Sequence, residues 1–196
     1  MYCNVVISNS HKYLYYRVPK TATTSIIKYL EKHTYIDIGG KNSEHRGYNV
    51  DYDDSWNTLF QFVFVRNPWD RILSCFLDKT KQCIGKSWEL EVYKKYYNSS
   101  FEDFITCLNE KNILLDGHTY PQHYMLNIDH LDFMGKFENL ESDIKIIQQK
   151  LKLPYEKIPY ENLTCHDDYR KYYNKYTREK IEQLYTKDIE IFKYEF

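Results

Sequence analysis

Lys20 is the first residue whose type and setting suggest chemistry. It lies in RVPKTATTSIIKYL (residues 17–30), where a strand-like run, YLYYRV, breaks at Pro19 and an amphipathic helix follows. Between them stand Thr21, Ala22, Thr23, Thr24 and Ser25. A helix start presents unpaired backbone N–H groups and the positive end of the helix dipole to an anion. Hydroxyls add donors, and Lys20 adds a full charge. Serine and threonine also cap helices, so a capped helix with a surface lysine reads this stretch equally well. The glycines that usually let a backbone wrap around phosphate are absent.

A second strand end answers the first. FVFVRNPWDRILSCF (62–76) places Arg66 at the carboxyl end of an apolar strand and Ser74 two turns into the next helix, on a face with Asp70 and Arg71. The arginine fork suits phosphate oxygens and Ser74 supplies a hydroxyl. The plainer alternative pairs Arg66 or Arg71 with Asp70 or another acid. Ligands of open α/β sheets sit at carboxyl ends of strands. Two such ends suggest a nucleotide with phosphate at two places.

The elements that must position these residues follow from patterning. CNVVI reads as strand-like, residues 13–18 as a strand, and Thr23 to Lys32 as a helix. HTYIDIG (33–39) reads as another strand, and residues 41–58 as loop with a short helical piece. LFQFVFV (59–65) is a continuous apolar run, as expected of a strand buried on both faces of a parallel sheet. Asn67 and Pro68 form a helix start, residues 87–128 read as helical, and Ser100 to Asp103 resembles a capping box. A strand at 131–137, a helix ending before Pro154 and a tail helix from Thr177 complete the chain. In that tail Ile181, Leu184, Tyr185, Ile191 and Phe192 share a face. The expectation is an α/β fold, a central parallel sheet flanked by helices, in one domain over residues 1–196.

Composition excludes some classes. With 27 Lys and Arg against 28 Asp and Glu, the net charge is −1, which gives no argument for nucleic-acid binding. Five cysteines without a CxxC pair argue against zinc and a disulfide framework, and point to a reduced compartment. No apolar run approaches the ~20 residues of a membrane span, and no signal peptide is evident. The 21 tyrosines read as packing rather than a stacking surface.

Taken together, the segments resemble the sulfotransferases that use 3′-phosphoadenosine 5′-phosphosulfate. RVPKTATTS is similar to their 5′-phosphosulfate loop, and FVFVRNPWDRILSCF to their 3′-phosphate segment. MGKFENLESDIKIIQQKLKLP and YRKYYNKYTREKIEQLYTKDIEIFKYEF resemble the later segments of the carbohydrate sulfotransferase branch. The resemblance implies a fold related to nucleotide kinases and no required metal. It implies that Lys20 contacts the bridging oxygen and 5′-phosphate, with Thr21, Ala22, Thr23, Thr24 and Ser25 as the cradle and Arg17 nearby. Arg66 and Ser74 would hold the 3′-phosphate, with Arg71 supporting the fold. Ala22 and Thr23 stand where two glycines are common in the family.

Transfer of a sulfonate group to a hydroxyl needs a base, for which histidine is suited. Of seven histidines, His45 ranks first because this branch often carries one there. His118 follows, in HTYPQHYM, where Gln122 could help, and Glu44 is a further candidate. His11, His33, His123 and His130 read as surface or core residues. His166 falls in a late segment that in relatives closes over the donor. The expected acceptor is a glycan or another hydroxyl-bearing molecule, with 3′-phosphoadenosine 5′-phosphate as product and a cytoplasmic location. The rivals are a small nucleotide-dependent kinase, which would need GxxxxGK[ST], and an inactive nucleotide-binding relative.

Overall fold

The computed structural model describes residues 3–39, 49–50, 53–82, 84–86, 90–110, 116–158, 164 and 166–196. In chain order the strands and helices are β1 (Cys3–Ser8), β2 (Tyr13–Tyr16), α1 (Thr23–His33), β3 (Asn49–Val50), β4 (Phe60–Val65), α2 (Pro68–Leu77), α3 (Glu91–Lys94), α4 (Phe101–Glu110), β5 (Phe133–Lys136), α5 (Leu140–Lys150), α6 (Lys175–Leu184) and α7 (Thr186–Phe192). They fall into two compact units: Met1–Arg66 with Gln122–Asn162, and Asn67–Pro121 with Leu163–Phe196.

The first unit holds a five-stranded sheet in the order β3-β1-β2-β4-β5. β2, β4 and β5 are parallel neighbours, with Tyr15 opposite Phe62 and Phe64 opposite Gly135. The expected parallel sheet is therefore only part of the structure. β1 pairs antiparallel with β2 through a tight hairpin, and β3 adds antiparallel to β1. The physical reason is length, since the four residues between β1 and β2 can close a hairpin but not a parallel crossover. β2 is buried throughout and β4 from Gln61 onward, as a run covered on both faces requires. Tyr15 stacks on Phe62 at 5.0 Å between ring centroids, and Ile26 and Leu30 of α1 and Ile144 and Ile147 of α5 pack into the same core. Each such side chain contributes about 1.5–3 kcal/mol on burial. Many tyrosines, among them Tyr13, Tyr15, Tyr16 and Tyr29, are core residues.

The strand expected at 33–39 does not form. His33 ends α1, and Thr34 turns the chain by donating its N–H to the Leu30 carbonyl at 2.8 Å. Beyond it only Ile38 bridges β1, opposite Ile7, while Tyr35 is exposed. The outer edge of β1 is divided between Ile38, opposite Ile7, and β3, opposite Cys3 and Asn4. At Gly39 the backbone is left-handed, with φ of 81°, and a Cβ would lie 2.1 Å from the Val5 carbonyl oxygen. Gly39→Ala is expected to destabilise the protein by about 2–3 kcal/mol. Chemical denaturation measures this, and a change below about 0.5 kcal/mol would refute the close approach.

The second unit is helical. Asn67 caps α2, its Oδ1 accepting the Trp69 N–H at 3.1 Å, and Pro68 opens the helix as expected. Ser100 and Asp103 bond reciprocally before α4, each backbone N–H donating to the other's side chain at 3.1 Å. Residues 87–128 are not one helical region, however. Beyond α3 and α4 the described part, from Asp116 on, consists of turns and short 3₁₀ segments. Gly117 and Pro121 interrupt any helical ladder there. The tail helix starts at Lys175, not Thr177. Asn174 is its cap, and Thr177 completes a capping box. It also breaks at Tyr185, which leaves Ile191 exposed while Ile181, Tyr185 and Phe192 are buried.

Candidate functional site

The loop from Arg17 to Ser25 leaves the carboxyl end of β2, and its backbone has the form that glycines usually provide. Lys20 and Ala22 both take left-handed φ, 71° and 63°. Ala22 is the N-cap of α1, so no side chain caps this helix, and its first turn contains no acid. The hydroxyls instead fold back. Thr21 Oγ1 and Thr23 Oγ1 both donate to the Val18 carbonyl, at 2.8 and 2.5 Å. Those two threonines therefore hold the loop's shape, their protons already engaged, while Thr24 is exposed and Ser25 is buried. Neither threonine caps the helix; both brace the loop against Val18. No side chain caps the start of α1, and a helix N-terminus of this kind is suited to an anion.

Behind the loop, the Tyr15 hydroxyl is fully buried, and burial pushes its pKa up to about 12 against the opposing influence of Thr23, Arg17 and Thr21. Arg17 is half-buried, which lowers its pKa, and its Nη1 reaches the Gly39 carbonyl at 3.5 Å. A left-handed alanine costs about 1–2 kcal/mol. Replacing Ala22 by glycine removes that cost and adds about 0.5–1 kcal/mol of unfolded-chain entropy. Ala22→Gly is thus expected to leave stability unchanged or raise it by up to about 1.5 kcal/mol. A clear loss in a urea melt would contradict the left-handed conformation.

Arg66 meets this loop directly. Its guanidinium donates from Nη1 to the Lys20 carbonyl at 3.1 Å and lies 4.0 Å from the centre of the Phe137 ring. Its backbone is held by Gln122, whose Oε1 accepts the Arg66 N–H at 2.9 Å and whose Nε2 donates to the Arg66 carbonyl at 2.8 Å. Gln122 is fully buried in this role and braces the strand end. Lys20 and Arg66 are thus brought together within the first unit.

The other candidates lie in the second unit. Ser74 is buried, its Oγ 2.7 Å from Thr164 Oγ1, a partner that sequence reasoning missed. Arg71 has no solvent exposure and serves carbonyls: Nη1 donates to His118 O at 3.1 Å and Nη2 to Tyr120 O. The Tyr185 hydroxyl donates to the intervening Thr119 carbonyl. Three successive carbonyls are therefore clamped, and the turn bearing His118 is fixed. Asp70 faces His166 instead, 3.3 Å from its Nε2, while His166 Nδ1 lies 2.7 Å from the Asp167 carbonyl.

His118 itself has a carboxylate partner. Its Nδ1 is 2.9 Å from Asp116 Oδ2, and its N–H donates to Asp116 Oδ1 at 2.9 Å. The Tyr93 hydroxyl donates to the same Oδ1 at 2.7 Å. Burial pushes the Asp116 carboxyl up. The His118 ring, with its hydrogen bond and charge, outweighs this together with Tyr93 and the His118 N–H, and holds the carboxyl below its ordinary value. Burial drives the Tyr93 hydroxyl far above an ordinary phenol, which keeps it a donor. Asp116 and Tyr93 were missed in the sequence; the only local signal was an aspartate two residues before a histidine.

His45 and Glu44 lie outside the described residues. Of the rest, His33 sits 3.3 Å from Glu156, His11 beside Ser8 and Ser10, His123 on the Tyr124 ring, and His130 is exposed.

A strand end that brings a lysine loop and an arginine together on an α/β scaffold is an arrangement suited to an anion. The comparison with known proteins makes this specific: the profile described as Sulfotransferase family matches residues 4–195, across both units, and the chain belongs to that family. It is 31% identical over 116 residues to an uncharacterized protein of Archaeoglobus fulgidus, covering 56% of this chain and 82% of that one. It is 27% identical to carbohydrate sulfotransferase 9 of Homo sapiens, over 78% of this chain and 42% of that protein. With carbohydrate sulfotransferase 14 of Danio rerio the identity is 25%, over 77% of this chain and 49% of that protein. The chain thus matches less than half the length of these carbohydrate sulfotransferases. No solved structure matches it. Among the described residues, no helix is long and apolar enough to cross a membrane.

Proposed function

We propose that the protein transfers a sulfonate group from 3′-phosphoadenosine 5′-phosphosulfate to a hydroxyl, on a carbohydrate or glycoconjugate. The observation that carries the reading is the loop at residues 17–25, left-handed at Lys20 and Ala22 and uncapped at its helix, within a chain of the Sulfotransferase family. The carbohydrate acceptor is taken from the relatives' names alone. A P-loop-like arrangement of strand, loop and helix follows from the same membership.

In this reading the backbone N–H groups at Thr23, Thr24 and Ser25 bind the 5′-phosphate, and Thr21 and Thr23 keep the loop in shape for it. Ala22 takes the left-handed backbone that a glycine would give the loop. Arg17 flanks the loop. Arg66 and Ser74, eight residues apart in the sequence, take the 3′-phosphate. The donor supplies the sulfonate group. Lys20 offsets the negative charge that builds on the leaving phosphate, and a histidine takes the acceptor's proton.

Thermal unfolding with candidate ligands tests the reading. The product 3′-phosphoadenosine 5′-phosphate at a hundred times its Kd should stabilise by about 2.7 kcal/mol without any metal. For a chain of this size that raises Tm by about 5–10 °C. A shift only with ATP and Mg²⁺ would replace the reading with phosphoryl transfer. Labelled donor offered with a panel of glycans, lipids and small phenols then identifies the acceptor.

A further inference from the structure

The two oxygens of Asp116 do different things. Oδ1 accepts the His118 N–H at 2.9 Å and the Tyr93 hydroxyl at 2.7 Å, while the Asp116 carbonyl accepts the Thr119 N–H at 2.9 Å. Those bonds form a capped turn, and a turn needs nothing more from this side chain. Oδ2 is the additional element, facing His118 Nδ1 at 2.9 Å. A carboxylate can only accept, so this nitrogen must carry the proton and Nε2 of the neutral ring is left as the acceptor. The ring is not sealed in, its side chain being 29% exposed. The backbone beneath it cannot shift freely, because Arg71 and Tyr185 clamp the carbonyls of His118, Thr119 and Tyr120.

We propose that Asp116 is a positioning residue, whose Oδ2 holds the His118 ring as the Nδ1–H tautomer so that Nε2 takes the proton from the acceptor. The inference rests on the sulfonate-transfer reading and selects His118 as its base. In the step, the acceptor oxygen forms a bond to sulfur as the bond from sulfur to the bridging oxygen breaks. The electron pair leaves with the phosphate, and the hydroxyl proton passes to Nε2, giving an imidazolium that Asp116 stabilises. The charged and titratable groups facing this turn are Asp116 itself, Tyr93 from α3, with Cys75 of α2 3.6 Å behind it, the Arg71 guanidinium from α2 and Tyr185 after α6.

Asp116→Asn separates this role from the structural one. Asparagine keeps an oxygen for the turn, but its amide nitrogen at the Oδ2 position donates to Nδ1 and drives the proton to Nε2. In the full chain carrying ¹⁵N-labelled histidine, with His118 assigned by its loss in His118→Gln, NMR should find the Nδ1–H tautomer in the wild type. Asp116→Asn should show the Nε2–H tautomer, because the amide donates to Nδ1. Turnover should fall about a hundredfold, with donor KM nearly unchanged. A wild-type Nε2–H tautomer, or an Asn variant that leaves the tautomer unchanged, overturns the positioning role. Wild-type turnover retained in His118→Gln overturns the base role. A wild-type chain that binds 3′-phosphoadenosine 5′-phosphate yet transfers no sulfonate overturns the transfer reading and the base role with it, while the tautomer still decides what Asp116 does.

Discussion

Replacing Lys20 by alanine is expected to lower turnover about 10²–10³-fold while leaving the protein folded. The loss follows from the lysine's proposed work, which is to meet negative charge that develops only as the sulfonate leaves. An interaction made in the transition state lowers kcat more than it raises KM. Survival of the fold follows from what holds the loop. Arg66 donates to the backbone carbonyl of residue 20, which any side chain retains, and Thr21 and Thr23 bond to Val18. Circular dichroism and a denaturant melt should therefore show a change within about 1 kcal/mol. Turnover within tenfold of wild type would show that the lysine does not act on the leaving group.

The largest stability effect is expected at Arg71. Its guanidinium is fully buried, donates to the carbonyls of His118 and Tyr120, and lies 5.8 Å from the Tyr185 ring centre. Arg71→Leu removes the donors and leaves two part-buried carbonyls without them, at a cost of about 2–4 kcal/mol. Proteins of ordinary stability have only about 5–15 kcal/mol in total, so the variant should melt far below wild type. Arg71→Lys keeps the charge but cannot span both carbonyls as a planar fork does. It should fall between the two, and because it loosens the turn bearing His118 it should lose activity before stability. A denaturant midpoint near wild type for Arg71→Leu would show that the clamp contributes nothing.

The pH dependence of stability is linked to the same turn. The Asp116 carboxyl is held below its unfolded value, so its contribution is present above the ordinary carboxylate range and lost as pH falls through the lowered folded value. Near neutrality Asp116 stays ionised, and rate changes there report on other groups.

Legibility in the sequence depended on how local the cause was. Asn67, Pro68 and the Ser100–Asp103 pair act within a few residues, and their helix starts were readable from composition alone. The run 59–65, apolar at every position but Gln61, had to be a covered strand because neither of its faces is polar. Residues 33–39 misled because apolar residues there resemble a strand, yet pairing depends on which distant edge is available, and β1 offered room for one bridge. Alternation cannot report that. The tail helix misled similarly: its break at Tyr185 accompanies a hydrogen bond to Thr119, 66 residues away.

The sequence by itself determined the family, because a lysine loop and an arginine eight residues before a serine are local patterns. Only the tertiary structure decided what each member does. It turned Ala22 into a left-handed cap, engaged Thr21 and Thr23 with a carbonyl, and locked Gln122 against the Arg66 backbone. It also placed Asp116 and Tyr93 around His118. The physical reason is that hydrogen-bond partners are assigned by folding, and a hydroxyl or carboxylate has the same formula before and after its proton or lone pair is committed.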